Sequence, residues 1–269
     1  MDERIESLVK KTVSGKMYVY PVKTEYDRCD LFLPPIKMSA KRVCEYIRNQ
    51  EPLIVAESCF TGLIKFDGSV EGDVFNRSGH VNFGIACNNF YNKPVDNLLT
   101  FEWQHSAGDF AKIINGGIVG IKDEINKSIE KHKNDAEATQ FLEAQSDICD
   151  ALIDWACKCS EKALSFSKTV SNEKYKKNLE KLSQALKNVP KKSASSFYEA
   201  ILSLYVCYSL IPDSIGLIDR YLYPFYKKDV EKGILTKEDA SEYLQELFLM
   251  LQARIHISSD RFYRGGESH

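Results

Sequence analysis

Three residues combine useful chemistry with a setting in which a pocket could form: His105, Ser214 and Asp219. His105 lies in Trp103-Gln104-His105-Ser106-Ala107-Gly108-Asp109-Phe110, immediately ahead of a stretch with helical periodicity. An imidazole there could donate to or accept from a small polar substrate. The same position equally suits a histidine that caps the helix or packs beside Trp103. Ser214 follows Pro212-Asp213, and Gly216 permits an unusual backbone angle just beyond it. Such a place can present a hydroxyl to a pocket, or form a turn in which Asp213 and Ser214 bond their own backbone. Asp219 and Arg220, with Tyr221, Tyr223 and Tyr226, could build a polar network, or the tyrosines could be core with bonded hydroxyls. His80, His132 and His256 have less context, and His132 sits in the solvated run EKHKND.

Other chemistries find little support. Cys157 and Cys159 are two apart, so on a helix they point about 200° away from each other and cannot share a metal on one face. No second Cys or His pair stands at zinc-finger spacing, and buried thiols are the better reading. None of the eight cysteines has an identifiable activating base. There is no Walker loop and no G-x-G-x-x-G, and Gly116, Gly117 and Gly120 lack a preceding strand.

The elements that must position these residues are mostly helical. The first hundred residues read as irregular, with a short helix over Met38 to Asn49 that Ser39 can cap. Apolar pieces at Leu53 to Ala56 and Thr61 to Phe66, broken by Gly68, Gly72, Gly79 and Gly84, suggest turns and brief strands. From Asp109 onward Phe110, Ile113, Ile114, Ile118, Ile121 and Ile125 repeat at threes and fours. Gly116-Gly117 and Gly120 there allow close packing or mark a junction between two helices. A long helix over Glu137 to Ser167 carries a stripe of Phe141, Leu142, Ile148, Leu152, Trp155, Ala156, Cys159 and Leu164. Another spans Asn172 to Lys187.

Ser196 and Glu199 form a capping box before Phe197 to Ile211, a helix apolar on nearly every side and therefore central. Pro212 ends it. Thr236 and Asp239 repeat the box and open a helix to about Arg254, burying Tyr243, Leu244, Leu247, Phe248 and Leu251. Ile255-His256-Ile257 then alternates as a strand entry does.

Composition bounds the function classes. The chain has 269 residues, 43% hydrophobic and 28% charged, as in ordinary globular proteins. A formal net charge of -2 argues against nucleic acid as a partner. The basic run from Lys187 to Lys192 reads as a solvated loop. No apolar run is long enough for a bilayer and no secretory signal opens the chain. With scattered cysteines, these features suggest a cytoplasmic protein and no membrane partner.

Three segments carry a family resemblance, in order and at sensible separation. His105-Ser-Ala-Gly-Asp109-Phe110-Ala-Lys112-Ile-Ile-Asn-Gly116 resembles the G-H-[TN]-x-x-[DG]-[YF]-x-K-[VI]-[LY]-x-[KR]-G segment of the dehydratase and eliminase branch of glycyl radical enzymes, in the pyruvate formate-lyase superfamily. Phe197-Tyr198-Glu199-Ala200-Ile201 resembles the [FY]-[YH]-[EQ]-A-[LI] helix start after a V-P motif, here Val189-Pro190. Ser214-Ile-Gly216-Leu217-Ile218-Asp219-Arg220-Tyr221-Leu222-Tyr223-Pro224-Phe225-Tyr226 resembles S-x-G-R-[FL]-D-Q-Y-L-[YN]-P-[FY]-Y. Two positions depart: Leu217 stands at the family's arginine, and Gln104 at the glycine before the histidine.

The resemblance implies a mainly α unit, the helical N-terminal portion of an α/β ten-stranded barrel, truncated before most of the barrel. Residues 1–100 would be its irregular part, 101–254 its helical part and 255–269 the start of a barrel strand. It implies a substrate pocket touched by His105 and Ser214, with Asp219 as a supporting acid. Chemistry in the family runs from a glycyl radical, installed by an S-adenosylmethionine/iron-sulfur activating enzyme, through a cysteine thiyl radical to a small polar substrate. Neither the R-V-[AS]-G-[FY] glycine loop nor the cysteine finger loop occurs in these residues, so no catalytic residue is assigned here. The implied partners are a small-molecule substrate, an activating enzyme, a complementary C-terminal fragment and, as often in the family, a second copy. A helical scaffold pairing with a separate subunit is the alternative.

Overall fold

The computed structural model describes residues 2–13, 29, 32–49, 52, 54–60, 108–210 and 214–262. Eight helices are described: α1 Glu3–Val13, α2 Pro35–Asn49, α3 Phe110–Lys131, α4 Ala136–Ser167, α5 Glu173–Leu186, α6 Phe197–Leu210, α7 Ile218–Glu231 and α8 Lys237–Phe262. No β-strand occurs among the described residues.

Side-chain caps start several helices where the sequence places them. Asp109 accepts from the Lys112 amide at 3.0 Å, and Asp135 from the Ala138 amide at 3.0 Å. Asn172 takes both the Lys174 and Tyr175 amides. Each satisfies backbone donors that the first helical turn leaves open. The Thr236–Asp239 box forms in full: Asp239 N–H donates to Thr236 Oγ1 at 3.0 Å, and Thr236 N–H donates to the Asp239 carboxylate at 3.3 Å. The Ser196 box forms by half. Ser196 Oγ accepts from the Glu199 amide at 3.2 Å, but the Glu199 carboxylate turns to Ser195, taking its N–H at 2.7 Å and its hydroxyl at 2.6 Å. A further amide of that first turn is capped from another helix, where Asp229, buried in α7, accepts from the Phe197 N–H at 2.7 Å.

Two hubs organise the packing. α4 lies against α2, α3 and α5, while α6 lies against α3, α7 and α8, with α1 on α8. As its composition predicts, α6 is central: Ala200, Ile201, Leu202, Leu204 and Val206 are wholly inaccessible. Around α4 the acidic outer residues receive cations from neighbouring helices, as Lys37–Glu143, Arg48–Asp154 and Lys122–Asp150. These exposed pairs fix register more than they stabilise.

The Gly116-Gly117 signal resolves into both of its readings at once. Gly117 adopts φ 67, ψ 171 inside α3 and breaks the helix, and its α-carbon faces the 190–194 loop so closely that an added Cβ would meet Lys192 C at 2.4 Å. The broken ladder is repaired from that loop. Ile118 N–H donates to Pro190 O at 2.9 Å, Val119 N–H to Lys191 O at 3.0 Å, and Ala194 N–H to Ile114 O at 2.8 Å. Freed backbone groups in the interior must find such partners.

Several expectations need correction. Ser39 does not cap α2; the helix starts at Pro35 and Ser39 is buried within it. Proline suits a first helical position, where its missing N–H has no partner to lose. The N-terminal part is less irregular than expected, because residues 3–13 form α1, with Asp2 accepting from the Arg4 amide at 2.8 Å. Phe141, Leu164 and Phe248 are 47%, 40% and 52% exposed, at the edges of their stripes rather than inside. The strand entry at 255–257 is overturned: α8 continues through Phe262, its helical ladder outweighing three residues of local alternation. Residues 263–269, Thr61 to Phe66 and His105 lie outside the described residues.

Candidate functional site

Ser214 is exposed, and its hydroxyl accepts from the Gly216 amide at 3.2 Å. Gly216 takes φ 65, a left-handed angle that suits glycine, so the turn anticipated from its sequence is formed. Asp219 is exposed in the first turn of α7, where a carboxylate complements the helix dipole. The α7 network forms only in part. Tyr221 donates to Ile215 O at 2.7 Å and closes the turn onto the helix, while burial pushes its phenol up. Arg220 and Tyr223 face solvent beside Asp219. Leu217, at the helix N-cap, is 58% exposed and provides no side-chain capping bond. Ser214 and Asp219 thus share one surface-exposed turn and helix start.

The cysteines separate as helical geometry requires. Cys157 is exposed on α4 and Cys159 is buried. Burial raises Cys207 and Cys59 to about 12 and Cys44 to about 11, so these thiols stay protonated and weakly nucleophilic at neutral pH.

Sequence reasoning missed a dense buried polar cluster. Glu246, in α8, is wholly buried, and its Oε1 accepts from Ser58 Oγ at 2.5 Å and from the Cys59 amide at 2.8 Å. Its Oε2 pairs with the Arg4 guanidinium of α1. Arg4 also donates to Glu57 O at 3.2 Å and lies 3.5 Å from Glu242 Oε2. Burial pushes Glu246 upward; Arg4 and the two donors of Ser58 and Cys59 oppose that shift. Around the cluster, Tyr198 donates to Cys59 O at 2.5 Å, and the rings of Phe60, Tyr198 and Tyr243 pack together at 5.4–5.9 Å. Lys181 sits 4.2 Å from the Tyr198 ring centroid and donates to Tyr243 Oη at 2.8 Å. The only advance signal was local: an acidic first turn and a basic last turn in residues 3–13, which mark a helix.

Comparison with known proteins identifies the class. Residues 98–268 match the family described as pyruvate formate lyase-like. The chain therefore belongs to the pyruvate formate lyase-like family of glycyl radical enzymes, as the three motif segments implied. It is 31% identical over 175 residues to the isethionate sulfite-lyase of Oleidesulfovibrio alaskensis, covering 60% of this chain and 21% of that protein. It is 27% identical over 185 residues to the trans-4-hydroxy-L-proline dehydratase of Clostridioides difficile, covering 58% of this chain and 23% of that one. The fold matches the solved B12-independent glycerol dehydratase from Clostridium butyricum with a TM-score of 0.77 at 19% identity, over 94% of this chain and 40% of that chain. The unit is mainly helical, as the resemblance implied, and it covers about 40% of such structures. The chain spans about a fifth of the length of the curated relatives it matches. No described helix is long and apolar enough to cross a membrane.

Proposed function

We propose that this chain is the N-terminal portion of a glycyl radical enzyme of the eliminase, dehydratase or decarboxylase type, acting on a small polar metabolite by radical chemistry. The family match over residues 98–268 carries this reading. Relatives named as a lyase, a decarboxylase and a dehydratase match 60%, 39% and 58% of this chain and support it. In this reading His105 and Ser214 touch the substrate and Asp219 supports them. Ser214 Oγ can accept from the Gly216 amide and still donate its own O–H to a ligand.

The catalytic cysteine and radical glycine have no counterpart in these 269 residues. They belong to further polypeptide, so the portion is inactive alone. A substrate radical needs a thiyl partner to abstract hydrogen and a glycyl site to hold the spin between turnovers. The test is co-expression with a C-terminal polypeptide bearing both loops and with an S-adenosylmethionine-dependent activating enzyme. A glycyl radical resonance under anaerobic conditions supports the reading; its absence with all components folded counts against it.

The scaffold alternative rests on Leu217, which replaces the arginine of the family motif. Leu217, Tyr223, Ile234 and Phe248 are all more than half exposed. In that alternative the helices dock a separate subunit without contributing to a pocket.

A further inference from the structure

We draw no further inference here: the strongest candidate, the exposed apolar surface along α7 and just beyond it at Leu217, Tyr223 and Ile234, carries nothing past the docking alternative already described, because nothing in the structure shows what covers it.

Discussion

Gly117→Ala should be among the most damaging single-methyl changes in this protein. At φ 67, ψ 171 the residue occupies a backbone region nearly reserved for glycine, and forcing an alanine there costs about 1–3 kcal/mol. The methyl would also have to displace backbone, since it would meet Lys192 C at 2.4 Å, Lys192 Cα at 2.6 Å and Lys191 O at 2.7 Å. Moving the loop puts three inter-segment bonds at risk, from Ile118, Val119 and Ala194. Losing one or two of them costs roughly another 1–3 kcal/mol. The expected loss is thus about 2–6 kcal/mol, or a Tm lower by roughly 5–15 °C for a chain of this size. Gly120→Ala is the internal control: its added Cβ has nothing within 4 Å, and the residue lies in the regular part of α3. That change should be neutral or stabilise by up to about 1 kcal/mol. Urea denaturation of both variants decides the matter. If Gly117→Ala lies within about 1 kcal/mol of wild type, the kink is not the junction described here.

Further outcomes follow from the same contacts. Glu246→Gln leaves the buried Arg4 charge with only the partly exposed Glu242 as counterion and should cost up to about 3–5 kcal/mol in urea titration. Asp229→Ala removes the acceptor that caps α6 from α7 and should cost roughly 1–3 kcal/mol, with faster exchange at the Phe197 amide. Under iodoacetamide at pH 8, Cys157 should label in the native state, while Cys59 and Cys207, raised to about 12 by burial, should label only on unfolding, read by mass spectrometry. Glu57 is pushed up by burial, but Lys11 and Ser7 outweigh that and hold its carboxyl below the usual value of 4.5. Its contribution to anchoring α1 is present above that value and lost as pH falls through the lowered one. The protection factors of α1 amides should therefore fall below about pH 4.5, and less steeply in Glu57→Gln.

Local signals were legible wherever the physics is local. Asp109, Asn172 and the Thr236–Asp239 pair mark helix starts because a side-chain oxygen a few residues from an open amide leaves little choice of geometry. The unbroken apolar run of α6 announced a central helix, since no face of it could be left in water. Long-range pairings were invisible. Arg4 and Glu246 are 242 positions apart, and nothing near either residue specifies the other. Asp229 likewise caps α6 from 32 positions away, buried, with no local pattern to mark it. The glycine pair was read as a choice between close packing and a junction because the 190–194 loop, which makes both true, lies far along the chain. At 255–257 three alternating residues pointed to a strand, but α8 already had its helical ladder in place and continued. The Ser214 turn was legible from Gly216, whereas Asp219, expected in a polar network, stands exposed in the first turn of α7. The motif segments carried the family more securely than any single site residue, because they constrain many positions at once.

The most direct test of the account is the glycyl radical itself. The chain, a complementary polypeptide carrying the cysteine and glycine loops, and an activating enzyme should together give a glycyl radical resonance by electron paramagnetic resonance under anaerobic conditions. Omitting this chain should remove substrate turnover, and His105→Ala or Ser214→Ala should reduce turnover while leaving the radical signal in place. Full turnover without this chain, or turnover untouched by both substitutions, would contradict its assignment as the pocket-bearing N-terminal portion of such an enzyme.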